Sequence, residues 1–148
     1  SSTGSTDDSD PPPHSATWPE VATAVIDRTK VERTRAGLVT LRANSRLIQA
    51  AQIHAEQMAR AGILNHVLPD ATYPSAEDRL AAVEYRWRAY AENIAFGQRT
   101  AGEVVDGWMR STGHRANILN GSLTEMGAGY ARDPNGRAYW VQVFGHPL

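Results

Sequence analysis

Apolar residues recur at helical spacing in the first half of the chain and at strand spacing near its end. Over 18–36, Val21, Val25 and Ile26 share a helical face, and Gly37 supplies a stop. The next stretch is patterned more strongly. Leu47, Ala50, Ala51, Ala55, Met58 and Ala59 recur at i, i+3 and i+4, which predicts a helix with one buried face over 44–61. Asn44 suits the N-cap, because its side-chain oxygen can accept from the first unpaired amides, and Gly62 suits a left-handed C-cap. Residues 65–74, with Asn65, His66, Pro69, Asp70 and Pro74, read as a loop. Ser75 followed by Asp78 predicts the capped start of a short helix through Val83. Residues 87–95 read as extended. Thr100 followed by Glu103 predicts a capping box ahead of Val104, Val105, Trp108 and Met109. Gly113 is expected to interrupt that helix, with one more turn over 116–119. The chain closes as a hairpin: a strand over 125–132, a turn at Asp133-Pro134-Asn135-Gly136, and a strand over 137–144. Helices that lead and strands that follow make an α+β order rather than repeating βαβ units.

Composition narrows the function classes. The chain has 148 residues, 41% of them hydrophobic, enough for one domain to bury a core without a covalent staple. It has no cysteine, which excludes disulfides, thiolate metal sites and a cysteine nucleophile. A net charge of −1 argues against a nucleic-acid partner. No apolar run approaches the roughly 18 residues of a membrane helix. Residues 1–17 are rich in Ser, Thr and Pro, carry Asp7, Asp8 and Asp10, and contain no Lys, Arg or large apolar residue. They predict a disordered tether ahead of a domain over 18–148, expected to be monomeric. The opening Ser, where a start would give Met, is read as the mark of a removed leader, a larger N-terminal part or added residues.

The strong local signatures of catalysis are absent: no H-E-x-x-H, G-x-S-x-G, phosphate loop or dinucleotide fingerprint. Candidate chemistry rests on scattered residues. His66 and His114 follow helices in expected loops, where functional side chains concentrate. His54, on the second helix, reads as a packing histidine with its hydrogen bonds met. Strand alternation puts Tyr90, Glu92 and Ile94 on one apolar face, so Glu92 is a partly buried carboxylate. It needs a partner, either an arginine in a structural salt bridge or a histidine or metal. Glu125 shares a strand face with Gly127 and Gly129. Those glycines admit either a closely packed helix, such as one near 108–112, or a cavity wall with Glu125 at its edge.

In order along the chain stand Leu47…Ala51…His54-Ala55…Met58-Ala59, Asn65-His66, Asp78-Arg79-Leu80 and Ala91-Glu92-Asn93-Ile94-Ala95. They are followed by Trp108-Met109-Arg110-Ser111, Gly113-His114-Arg115-Ala116-Asn117-Ile118-Leu119-Asn120, Glu125-Met126-Gly127-Ala128-Gly129-Tyr130-Ala131 and Tyr139-Trp140-Val141-Gln142-Val143-Phe144-Gly145. This series resembles the bacterial branch of the CAP superfamily, the SCP domain of cysteine-rich secretory, antigen 5 and pathogenesis-related 1 proteins. The resemblance implies a three-layer α-β-α sandwich with a central, mostly antiparallel sheet, in a protein that is secreted or held at the cell surface. It also implies a cleft lined by two His and two Glu: His66, Glu92 and His114 match three positions. Ser111 stands where animal and plant members have the second Glu, and Glu125 matches a Glu that bacterial members carry further on.

Three functions follow as expectations. His66, His114 and Glu92 make a ligand set for zinc or another divalent metal, with a position open to water. The family has no agreed enzymatic activity, so the leading expectation is a non-enzymatic module whose cleft binds a small ligand or an extracellular partner, with no organic cofactor. The first alternative is a peptidase-like, metal-dependent hydrolase in which His66, His114 and Glu92 hold the metal and Glu125 takes the proton of its bound water. The second is a lipid- or sterol-binding protein with a separate apolar groove.

Overall fold

A computed structural model describes residues 18–148; the expected tether over 1–17 lies outside the described residues. The elements are α1 (Trp18–Arg35), β1 (Arg42–Ala43), α2 (Ser45–Ala61), α3 (Ala76–Ala82), β2 (Trp87–Phe96), α4 (Ala101–Met109), α5 (Thr112–Ile118), β3 (Glu125–Arg132) and β4 (Ala138–Pro147). The strands lie in the order β1-β3-β4-β2, with β1 parallel to β3 and the other pairs antiparallel. One face packs against α1, α4 and α5 around Trp108, Met126, Trp140 and Phe144. The other packs against α2 and α3 around Leu47, Met58, Leu80, Val141 and Val143. The fold is therefore the expected α+β sandwich of three layers, and β2 forms one edge of its sheet.

Local signals hold where they are self-contained. Asn44 Oδ1 accepts from the amides of Arg46 (2.9 Å) and Leu47 (3.1 Å). Gly62 adopts φ 69° and returns its amide to Met58 at 2.7 Å, closing α2. Ser75 and Asp78 form a reciprocal capping box. The box expected at Thr100 is only half made, since Glu103 accepts from Arg99 instead.

Other elements depart from the pattern for tertiary reasons. The two-residue β1 has exposed side chains and no apolar alternation; main-chain bonds from Arg42 to Thr124 and from Asn44 to Met126 create it. Helix α5 starts at Thr112 and takes Gly113 into its first turn rather than stopping there. Its far end is anchored by the buried Arg33, whose guanidinium donates to the carbonyls of Ile118, Asn120, Leu123 and Val39. Strand β4 runs on to Pro147, held between β2 and β3.

The paired glycines of β3 serve packing, and the helix is α2 rather than one near 108–112. A Cβ on Gly127 would lie 2.2 Å from the Ile48 nitrogen, and one on Gly129 would lie 2.5 Å from the Ala51 carbonyl carbon. Helix and sheet meet there backbone to backbone.

Candidate functional site

Glu92 stands on the edge strand β2, opposite Val143, with its side chain on the α2 side of the sheet. That side chain is 5% exposed. Its partners come from three elements. Arg79 of α3, itself buried, donates Nη2 to both carboxylate oxygens at 3.2 and 3.4 Å. His66, in the loop after α2, places Nδ1 at 2.9 Å from Oε1. His54 of α2 places Nε2 at 3.8 Å from the same oxygen. The arginine and histidine partners foreseen as alternatives for Glu92 are thus both present.

Arg79 does more than neutralise Glu92. It also donates to the carbonyls of His66 (3.1 Å), Tyr73 (3.1 Å) and Pro74 (3.2 Å), which straps the 65–74 loop to the carboxylate. Burial alone would raise the Glu92 pKa, but the His66 hydrogen bond and the charges of His54, Arg79 and His66 outweigh it and leave the pKa lowered. Glu92 is therefore ionised near neutral pH and can only accept, so His66 carries its proton on Nδ1 and turns Nε2 outward. The His66 ring is 52% exposed.

His54 differs from its sequence reading. It packs in the core at 0% exposure, but neither ring nitrogen has an aligned hydrogen-bond partner. Its pKa falls to about 4. Burial is the main cause; Glu92 and the Asn65 main chain oppose it, and Arg79 and His66 add to it. The ring is neutral at physiological pH.

Asn93, the next residue on β2, points to the opposite face of the sheet. Its Nδ2 donates to the His114 carbonyl (3.1 Å) and to Gln142 (2.8 Å), and its Oδ1 accepts from Asn117 (2.8 Å). Gln142 continues the buried chain to Thr29 of α1 at 2.8 Å. Glu92 thus orients His66 from one layer while Asn93 holds the backbone of His114 in the other. At the N-cap of α5, Ser111 makes no capping bond with its side chain. Its Oγ lies 2.9 Å from His114 Nδ1, where the hydroxyl can either accept or donate. Burial, followed by the charge of the neighbouring His66, lowers the His114 pKa.

The structure joins His66 to Glu92 and His114 to Ser111, and the charge of His66 is felt at His114. Glu125 opens β3 beside β1. It accepts from Tyr85 Oη (2.8 Å) and Asn44 Nδ2 (3.4 Å), with Arg42 at 3.5 Å. Among the described residues, no hydrogen bond or ion pair joins it to the histidines. Nor does any group of three or more His, Asp or Glu there stand close enough to hold a metal ion.

Sequence reasoning gave no role to Arg79 or Tyr85. The expectation that Glu92 needs a partner allowed an arginine, but the chain has fourteen and no local spacing singles out Arg79.

With this geometry in view, comparison with known proteins is specific. The sequence model of the cysteine-rich secretory protein (CAP) family matches residues 26–144. YkwD, an uncharacterised protein of Bacillus subtilis (strain 168), is 36% identical over 120 residues, covering 81% of this chain and 45% of YkwD. YlbC, an uncharacterised membrane protein of the same organism, is 30% identical over 131 residues, covering 86% of this chain and 36% of YlbC. The chain thus spans less than half the length of these relatives. An extracellular protein containing an SCP domain from Bacillus anthracis str. Ames shares 26% identity at a TM-score of 0.75, covering 87% of this chain and 41% of that one. NaASP2, crystallised with Zn2+, matches at a TM-score of 0.62 and 12% identity over 90% of this chain and 83% of its own, a likeness of fold. No helix among the described residues is long and apolar enough to cross a membrane. The family match covers most of the sequence and the fold agrees with it: this chain, though it has no cysteine, belongs to the CAP family.

Proposed function

We propose that the chain acts outside the cell as a non-enzymatic binding module whose His66–His114 cleft takes a small ligand or extracellular partner and can hold a divalent metal. The observation that carries this reading is how the two imidazoles are held. Each has Nδ1 engaged, His66 by Glu92 and His114 by Ser111, which leaves Nε2 of each for an incoming group. A carboxylate behind the far nitrogen of a histidine is the common outer support of a metal site. Glu92 suits that supporting role better than the ligand role expected from sequence, because it is buried and already accepts from Arg79 and His66.

Zinc would be held by His66 and His114, with Glu92 and Ser111 orienting the rings. Bound there, it would act as a Lewis acid and acidify a coordinated water. Two protein ligands are one fewer than the three usual in catalytic zinc sites. Glu125 is engaged with Tyr85 and Asn44, so the carboxylate invoked for hydrolysis is committed elsewhere. Both points favour binding over peptidase-like chemistry. Placement outside the cell is supported by the extracellular Bacillus anthracis relative.

Calorimetric titration with zinc tests the reading. One equivalent is expected to bind, His66→Ala and His114→Ala each to abolish uptake, and Glu92→Gln to weaken it at least ~10-fold. Uptake that is absent, or unchanged in both histidine variants, would overturn the metal-binding part. Peptide or ester turnover that disappears with chelator and in His66→Ala would overturn the non-enzymatic part.

A further inference from the structure

Past its C-cap at Gly62, the chain turns back over the last turns of α2. Between those turns and residues 68–72 lies a cavity of about 290 Å³, and none of His66, Glu92 or His114 lines it. Its walls are set before any ligand arrives. Gln57, buried on α2, donates Nε2 to the Tyr73 carbonyl at 3.0 Å and accepts the Tyr73 amide at 3.0 Å, a two-point latch between helix and loop. The buried Leu68 bonds its amide to Pro74 and its carbonyl to the Ala71 amide, which fixes the turn that closes the far side.

The lining combines apolar surface with two opposite charges. Leu68 and Ile63 supply aliphatic contact, and Ile63 stands 51% exposed, an apolar side chain left open to water. Arg60 and Asp70 face the same cavity. Among the described residues, neither side chain forms a hydrogen bond or an ion pair, with the other or with any third group. An unpaired guanidinium and an unpaired carboxylate that line one partly apolar cavity complement a zwitterion with a hydrocarbon side chain. The guanidinium fork fits a carboxylate in two-point contact, and the carboxylate fits an ammonium.

Size restricts the class further. A volume of 290 Å³ lies at the small end of ligand pockets. That size suits a small molecule rather than a long chain or a folded segment. The geometry points to a binding site for a free aliphatic α-amino acid of leucine size, its carboxylate on Arg60, its ammonium on Asp70 and its side chain against Ile63 and Leu68. This site shares no residue with the imidazole cleft, so it stands whether or not metal binds there.

The experiment is a titration of the full 148-residue chain with L-leucine, followed by amide chemical shifts in two-dimensional NMR. Saturable shifts are expected at Ile63, Leu68 and Ala71. Arg60→Gln and Asp70→Asn are each expected to weaken binding about tenfold. Leucinamide, which lacks the carboxylate, and N-acetyl-leucine, which lacks the ammonium, should bind about tenfold more weakly than leucine. Leucyl-leucine should bind more weakly than leucine. The absence of saturable shifts overturns the site. Equal affinity in both variants, or for both blocked analogues, overturns the charge pairing. Tighter binding of the dipeptide overturns the size assignment. Both substitutions are at exposed positions, and circular dichroism of each variant confirms its fold before titration.

Discussion

Glu92 and Glu125 are the same residue type on the same face of one sheet, yet they sit in different chemistry. Glu92 pairs across with Val143, Val143 pairs with Gly127, and Glu125 lies two residues before Gly127, so all share the α2 side. Glu92 stands on an edge strand, where a loop can reach it, and its partners are Arg79, His66 and His54. Glu125 sits between β1 and the Tyr85 ring, and its partners are a phenol, an amide and an exposed guanidinium. The Tyr85 pKa is raised, by burial first and then by the Glu125 hydrogen bond and charge. Among the described residues, no imidazole is hydrogen-bonded or ion-paired with Glu125, whereas two lie beside Glu92. The partners, not the carboxylate, separate a candidate site from a structural joint.

Several substitutions sharpen this contrast. The largest effect is expected from Arg79→Met, which leaves Glu92 buried and charged without its cation. About 3–5 kcal/mol of stability should be lost in urea unfolding. A loss under about 1 kcal/mol would mean that His66 alone can hold the carboxylate. Gly127→Ala strikes the ground between the two glutamates. Its Cβ would meet main-chain atoms of Leu47 and Ile48 at 2.2 Å, so α2 must move; about 3 kcal/mol is expected, and an unchanged melting temperature would reveal slack at that contact.

A pH series then separates the two ends. The folded His54 pKa is about 4 against an ordinary value near 6.5. Between those values the unfolded chain binds more protons than the folded one, so stability must fall as pH drops from about 6.5 to about 4, by up to about 3 kcal/mol. Below about 4 this group adds nothing more. Glu92, with its lowered pKa, contributes a loss in the same direction at more acidic pH. His54→Gln should flatten the profile over the upper window, measured as unfolding free energy against pH. A profile unaltered by that change would assign the acid sensitivity to other groups. The smallest effects belong to the Glu125 end. Tyr85→Phe should cost about 1–2 kcal/mol through the lost phenol bond. Arg42→Ala should cost under about 0.5 kcal/mol, since its side chain is 73% exposed. Equal losses from the two, in denaturant melts, would contradict the partner ranking drawn here.

Local rules explain which parts could be read in advance. The i, i+3, i+4 stripe of α2, its Asn44 and Gly62 caps and the Ser75–Asp78 box all involve residues within a few positions of each other, so spacing alone specifies them. Alternation along β2 likewise assigned Glu92 to a buried face. The rest required distant chain. β1 exists through bonds to Thr124 and Met126, far along the sequence. The glycines of β3 announced a close neighbour, but which helix filled the space depended on which layer covers that face.

The candidate site divides along the same line. Residue spacing and family resemblance were enough to nominate His66, Glu92, His114 and Ser111. The partners of Glu125, namely Tyr85, Asn44 and Arg42, come from tertiary placement, since all three lie at least forty positions away in the chain. Tertiary placement also selected Arg79 from fourteen arginines and drew His54 into the buried core beside a carboxylate. Helix caps and strand faces follow from backbone geometry over a few residues. Ion pairs and buried polar groups depend on which remote segments exclude water from one another, and that is decided only when the layers close.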